Sequence, residues 1–339
     1  MHSGNMRLNK PFSHVYIEEG ILQHPLCAKI LSFFPHAVQI PVTSYKDVFS
    51  RKGQRSSVQI KSQNLILAEK KDHFLYPGSA VCHDFDERWF YYCTNVLNCV
   101  YDCAYCWLKG MYDSANLVIF VNQEDFLDET AKMLEEHPVY LCLSYENDLV
   151  PLENITGFLH SWAEFTVQNP GLTIEIRTKC GSEDIWKSLP VSERIIPAFT
   201  LSPDPVILEM EKGTASLSQR IRAIRAAAEN GFHPRLCLDP VFAVPDWENI
   251  YGSMIRDVMQ EIDPADIRDI SLGTFRLSND YMKKMRKEYP HSAPVQYPYI
   301  LQDGYYGYED NKKRKIENAI RKQLEQYVPA EKIYMLENE

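Results

Sequence analysis

The sequence predicts an α/β protein: a partial (β/α)6 TIM-like barrel with an N-terminal α/β extension and a C-terminal hairpin plus helix. Three observations carry that expectation. From Trp89 onward, short runs rich in β-branched and aromatic residues alternate with helical patterns. Strands in series with helices between them pair in parallel, because a helical crossover returns each strand in the same direction. Six such units fall two short of the eight that close a barrel, so the sheet is expected to stay open. In such sheets ligands bind at the C-terminal strand ends.

Taken in order, residues 1–85 form the extension, with short strands expected at 14–18 and 64–67. The basic span 46–71 reads as a solvated face or, alternatively, as a groove for an anionic substrate. Residues 86–290 form the barrel, with strands at 89–93, 139–144, 172–178, 195–201, 235–242 and 268–275. Asn122 is expected to cap a helix over 123–136, which has acidic residues in its first turn. Further helices are expected at 153–168 and 182–189, then from Ser216 to a stop at Gly231, and at 247–262 and 278–288. Residues 291–339 leave the rhythm. The tyrosine-rich stretch 299–310, with Gly304 and Gly307 as turn points, suggests a hairpin, and 312–328 a basic helix covering the barrel.

At 45% hydrophobic residues the chain can bury a substantial core. A net charge of −10 argues against broad non-specific nucleic-acid binding, yet permits a local basic cleft. The N-terminus has no signal-like apolar run, and no stretch is long enough to span a membrane. The expected setting is cytoplasmic and reducing, where cysteines serve as thiols or metal ligands.

Three cysteines crowd into NCVYDCAYCWL just after the first barrel strand: Cys99, Cys103 and Cys106. Structural zinc wants four ligands, commonly two close pairs, and only Cys93, inside a strand, is near. A redox pair needs C-x2-C alone and leaves Cys99 idle. Burial in a core explains single free cysteines better than three in a polar loop. Iron–sulfur clusters take Cys thiolates, and three ligands on four irons leave one iron open. Tyr105 and Trp107 bracket Cys106, either shielding a cofactor or packing the loop.

The C-x3-C-x2-C spacing at this place resembles the radical S-adenosylmethionine superfamily. The resemblance implies a [4Fe-4S] cluster on Cys99, Cys103 and Cys106, with S-adenosyl-L-methionine on the open iron. Reductive cleavage of that cosubstrate gives a 5′-deoxyadenosyl radical that abstracts hydrogen from a substrate. Within the superfamily the chain resembles the spore photoproduct lyases over nearly its whole length. The segments 11–26 (PFSHVYIEEGILQHPL), 147–154 (NDLVPLEN), 177–179 (RTK), 200–221 (TLSPDPVILEMEKGTASLSQRI) and 239–251 (DPVFAVPDWENIY) follow the family order. The likeness implies that Tyr105, Asn147, Lys179 and Ser202 line the S-adenosylmethionine site, where a Lys and small polar groups suit a carboxylate and ribose hydroxyls. An external electron donor of flavodoxin or ferredoxin type is implied, and no membrane partner.

Two departures shape the functional expectation. Tyr145 stands where the lyases carry the cysteine that gives a hydrogen atom to the substrate radical. Cys142 lies three residues earlier and is expected on the opposite strand face, reaching the site only through a bulge or local shift. Tyr145 and Cys142 are therefore the candidate catalytic hydrogen donors. The lyases also insert a basic, aromatic hairpin into DNA. Here 299–310 has no Lys or Arg and carries Asp303, Glu309 and Asp310, which weakens phosphate affinity, although its tyrosines can stack on bases. Asp148, Glu146 and Asp239 could move protons or simply bind backbone amides. The expected function is a lyase-like radical enzyme with a divergent substrate. Repair of the thymine photolesion in DNA with a changed hydrogen donor is the alternative.

Overall fold

The computed structural model describes residues 12–79, 82–143 and 145–335. Residues 1–11, on which the N-terminal signal argument rests and which include Pro11 of the first family segment, lie outside the described residues, as does Ser144.

Six strands form where expected: Phe90–Cys93, Val139–Cys142, Leu172–Thr178, Ile195–Thr200, Arg235–Val241 and Asp269–Thr274. They pair in serial order and all in parallel, with Ile174 opposite both Leu141 and Ile195. Both edges run further than the sequence pattern indicates. Leu75–Pro77 pairs antiparallel with the first strand, and Ile333–Met335 pairs in parallel with the last. Each of these is too short to show a period.

The apolar runs reflect burial on both faces, complete at every position of Ile195–Thr200. Along Leu172–Thr178 the faces separate. Leu172, Ile174 and Ile176 enter the apolar core, whereas Glu175 and Arg177 take the other side. There Arg235 pairs with Asp269 through both nitrogens and also reaches Glu175 and Tyr140. Arg177 donates Nε–H to Glu175 at 3.0 Å. That face is a paired ionic network, in which each buried charge has its counter-charge.

A second sheet joins Val38–Val42, His14–Glu18, Leu65–Ala68, Leu117–Phe120 and Val96–Leu97 in that order, parallel except for the last pair. Leu117–Phe120 was not expected. Its four residues are wholly buried, and so short an unalternating apolar run cannot be told from helix by period.

The helix expected at 123–136 forms over Gln123–Leu134, but Asn122 does not cap it. Its amide instead accepts from Lys70 N–H at 2.8 Å and donates to Lys70 O at 2.8 Å and Asp125 at 2.6 Å, bridging to the extension. The 153–168 helix is broken into Glu153–Thr156 and Phe158–Gln168, because Gly157 is left-handed (φ 78°). Asp184–Ser188, Trp247–Glu261 and Asn279–Glu288 form as expected, and Asp204–Met210 is additional. Leu217–Glu229 begins with a reciprocal Ser216–Gln219 capping box. Asp310–Leu324 buries Ile316, Ile320 and Leu324 at four-residue spacing, packing on the Asp269–Thr274 strand and the Trp247–Glu261 helix. Ile300–Gln302 and Tyr305–Gly307 make the hairpin, turning through Asp303 (φ 49°) and Gly304 (φ 84°). Asp-Gly suits a two-residue turn that needs positive φ at both positions. Arg276–Ser278 pairs with the second arm and ties the hairpin to the main sheet. Among the described residues no helix is long and apolar enough to cross a membrane.

Candidate active site

A cavity of about 560 Å³ opens at the C-terminal ends of the parallel strands. Cys99, Cys103, Cys106, Tyr105, Asn147, Lys179, Cys142 and Tyr145 all line it. Of the expected site residues only Ser202 is absent from its wall.

The cysteine loop is anchored at both ends. Asn98 enters it with φ 63°, a conformation Asn tolerates, and donates its amide hydrogens to Ser114 O and Asn116 O at 2.9 Å each. Further on, Asp102–Cys103 pairs antiparallel with Glu211–Lys212, and Ala104 N–H donates to Met210 O at 2.7 Å. Burial pushes the Cys99 thiol up to about 12, and raises Cys103 and Cys106 as well. A metal centre binds cysteine as thiolate, so binding would release these protons. Among the described residues no three His, Cys, Asp or Glu side chains converge closely enough to share one metal ion. The trio is thus not arranged around a single ion.

Glu211 organises the wall around Tyr105. Its carboxylate accepts from Tyr105 OH, from Ser202 Oγ at 3.0 Å and from Arg220, all in full burial. Ser202 therefore acts behind the wall, through Glu211. Arg220 also donates to Thr200 O, Ala215 O and Thr214 Oγ1. Burial alone would raise Glu211, but the Arg220 and Lys179 charges outweigh it and hold the carboxyl below its usual range. Lys179 Nζ lies 5.7 Å from the Tyr105 ring centre. Its backbone N–H donates to Asp148 at 2.7 Å, and Asp148 also accepts from Thr178 Oγ1 and Val150 N–H. Burial raises Asp148 to about 6 against those hydrogen bonds. These contacts tie Asp148 to the strand end that carries Lys179. Asn147 donates Nδ2–H to Val96 O at 2.8 Å, while its buried Oδ1 has no hydrogen-bond partner. A buried acceptor left open in a cavity wall suits a hydroxyl or ammonium of a ligand.

Across the cavity, Asp239 takes both terminal nitrogens of Arg276, at 2.8 and 3.0 Å. Burial pushes Asp239 up, but Arg276, by charge and hydrogen bonds, outweighs it with help from Arg177 and holds it at about 2. His83 Nε2 stands 4.0 Å from Asp239, and burial drives its pKa down to about 4, so the ring is neutral. Tyr145 stacks on Tyr92 with ring centres 4.2 Å apart and meets Trp107 at 5.5 Å. Cys142 does line the cavity, but its Sγ lies 3.9 Å from the Glu175 carboxylate, within the ionic face.

The sequence reading missed Glu211, Arg220, Cys82, His83 and Arg276. For the first two a signal was present: they are the second E and the R of EMEKGTASLSQRI. The other three sit in no motif.

A parallel α/β sheet with a charged, cysteine-walled cavity at its strand ends is the architecture of an enzyme. A family model described as Spore photoproduct lyase matches residues 12–337, and the chain belongs to that family of radical S-adenosylmethionine lyases. It is 23% identical over 340 residues to the spore photoproduct lyase of Bacillus subtilis (strain 168), covering 94% of this chain and 96% of the relative. To that of Geobacillus sp. (strain Y412MC61) it is 21% identical over 248 residues, covering 69% and 73%. Among solved structures, a spore photoproduct lyase complexed with dinucleoside spore photoproduct matches with a TM-score of 0.81 at 19% identity, covering 97% of this chain and 99% of that one. A double mutant with bound AdoMet and dinucleoside spore photoproduct matches with a TM-score of 0.82 at 20% identity, covering 97% and 100%.

Proposed function

We propose that this chain holds a [4Fe-4S] cluster on Cys99, Cys103 and Cys106, binds S-adenosylmethionine beside it, and acts on a substrate other than the thymine photolesion. The observation that carries the cofactor reading is the cavity that the three cysteines share with Lys179 and the open Asn147 acceptor. When bound, the cluster would supply the electron that cleaves the cosubstrate to a 5′-deoxyadenosyl radical. The chain's own residues do the rest. Lys179 is charged and aimed to meet a carboxylate, Asn147 Oδ1 to accept from an ammonium or hydroxyl, and Tyr105 to offer a ring fixed by Glu211. An external flavodoxin- or ferredoxin-type donor would reduce the cluster. We read the serial parallel sheet as a partial barrel, with 1–85 and 291–339 as units packed on 86–290.

The divergent substrate is supported by the hairpin and by Tyr145. The exposed hairpin surface runs from Ile300 to Tyr305 and carries Asp303 but no cation. The nearby basic helix spends its charges locally: Lys312 donates to Tyr297 OH at 2.6 Å, Arg314 to Asn311, and Lys315 pairs with Glu248. Lesion repair remains the second reading, favoured by the match over 97% of the chain to a lyase bound to the dinucleoside lesion.

The test is anaerobic: reconstitute the cluster, add S-adenosylmethionine and dithionite, and follow 5′-deoxyadenosine with and without dinucleoside spore photoproduct. We expect 5′-deoxyadenosine, its loss in Cys99→Ala, and an untouched lesion. Reversion of the lesion to its two thymine residues would establish the second reading instead.

A further inference from the structure

We propose that Cys82, paired with Tyr145, is the hydrogen-atom donor to a carbon-centred radical in this cavity. The proposal rests on the radical reading above and fills the place of the missing family cysteine.

Cys82 lines the cavity, and its Sγ is 3.3 Å from the Tyr145 hydroxyl, in hydrogen-bond contact. Tyr145 is itself packed by its stack on Tyr92 and its tilted contact with Trp107. The cavity beside the pair is built for a polar ligand, because Asn147 Oδ1 and His83 Nε2 are buried there with no hydrogen-bond partner. Burial raises both Cys82 and Tyr145 above their ordinary values, so each keeps its hydrogen at neutral pH. Cys142 is the poorer donor, since its thiol is directed to the Glu175 carboxylate.

The chemistry balances. The Cys82 S–H bond breaks homolytically as a substrate C–H bond forms, leaving a thiyl radical. An S–H bond is weaker than most C–H bonds, so the transfer runs downhill. The thiyl takes the hydrogen atom of the Tyr145 O–H, which restores the thiol and leaves a phenoxyl radical on the ring stacked against Tyr92. One electron from the external low-potential donor and one proton from water return Tyr145 to the phenol.

Two measurements test this. In the first, pulse radiolysis of the full-length, metal-free chain generates thiyl radicals, and growth of the phenoxyl absorbance follows hydrogen transfer from Tyr145. A fast growth phase is expected in the unaltered protein and in Cys142→Ala, and its amplitude should fall at least about fivefold in Cys82→Ser and Tyr145→Phe. Serine keeps a hydroxyl beside Tyr145 but cannot carry the radical, which separates donation from mere positioning. In the second, the reconstituted enzyme turns over S-adenosylmethionine with dithionite in D2O. The 5′-deoxyadenosine should carry one solvent deuterium, lost in Cys82→Ser while cleavage continues. A fast phase or label that survives Cys82→Ser, or disappears in Cys142→Ala, overturns the proposal. Absence of any 5′-deoxyadenosine would instead sink the radical reading, while radiolysis still decides the Cys82–Tyr145 step.

Discussion

Glu211→Ala is the substitution that bears most directly on how the cavity wall is held. Glu211 and Arg220 expose no side-chain surface, and Tyr105 and Ser202 donate to the same carboxylate. Truncating Glu211 leaves the guanidinium charged, buried and without its counter-ion, which costs about 3–5 kcal/mol. Unfolding entropy of about 2.1 cal/mol/K per residue scales to about 0.7 kcal/mol/K for this 339-residue chain. The expected loss is therefore about 4–7 °C in Tm, read by calorimetry or near-UV circular dichroism. Glu211→Leu combined with Arg220→Met removes both charges together and should cost less than Glu211→Ala alone, because no unpaired ion is left. A Tm within about 2 °C of the unaltered protein, or a double variant less stable than the single one, would refute the claim that this ion pair braces the wall.

Three further outcomes are expected. Lys179→Met removes a charge-assisted contact and should weaken S-adenosylmethionine binding by about 10–100-fold, measured by equilibrium dialysis with the cluster in place; unchanged affinity would dismiss its assignment. Two sets of groups should each lose a contribution to stability in acid. His83 stays neutral down to about 4 when folded, against about 6.5 unfolded, so its contribution is complete above pH ~6.5 and lost as pH falls toward 4. Asp239 and Glu175 both ionise near 2 when folded, so theirs is complete above pH ~4.3 and lost as pH falls toward 2. Asp148, raised to about 6, contributes with the opposite sign over the same range, so the upper step is read as the difference in Tm between the unaltered protein and His83→Gln from pH ~7 to ~4, and a difference that stays constant across that range would contradict the buried neutral histidine. In the turn after the cysteine loop, a Cβ on Gly110 would lie 2.7 Å from the Tyr281 Cα, so Gly110→Ala should cost about 1–3 kcal/mol in a denaturant melt.

Much of the frame was legible in the chain itself. The six parallel strands fall within a residue or two of their apolar runs, because a strand with one face in the core carries a dense run of β-branched and aromatic residues. Ser216 capped its helix as expected, since a capping box is a local arrangement of four residues. Asn122 did not, because Lys70, far off in sequence, competes for the same side chain. Cys142 was expected to face away from the cavity. It lines the cavity wall, yet its thiol is directed to a carboxylate on the next strand, a contact that depends on strand register.

What the sequence determined by itself was therefore local or periodic: the parallel α/β frame, the cysteine trio with its spacing, and the family to which the chain belongs. What only the tertiary structure decided was which distant groups meet. Cys82 touches Tyr145, Asp239 grips Arg276, and Glu211 gathers Tyr105, Ser202 and Arg220. The physical reason is that hydrogen-bond and charge pairing act over a few ångströms in space regardless of separation along the chain. No period or motif encodes a contact that exists only once the sheet has brought its strand ends together.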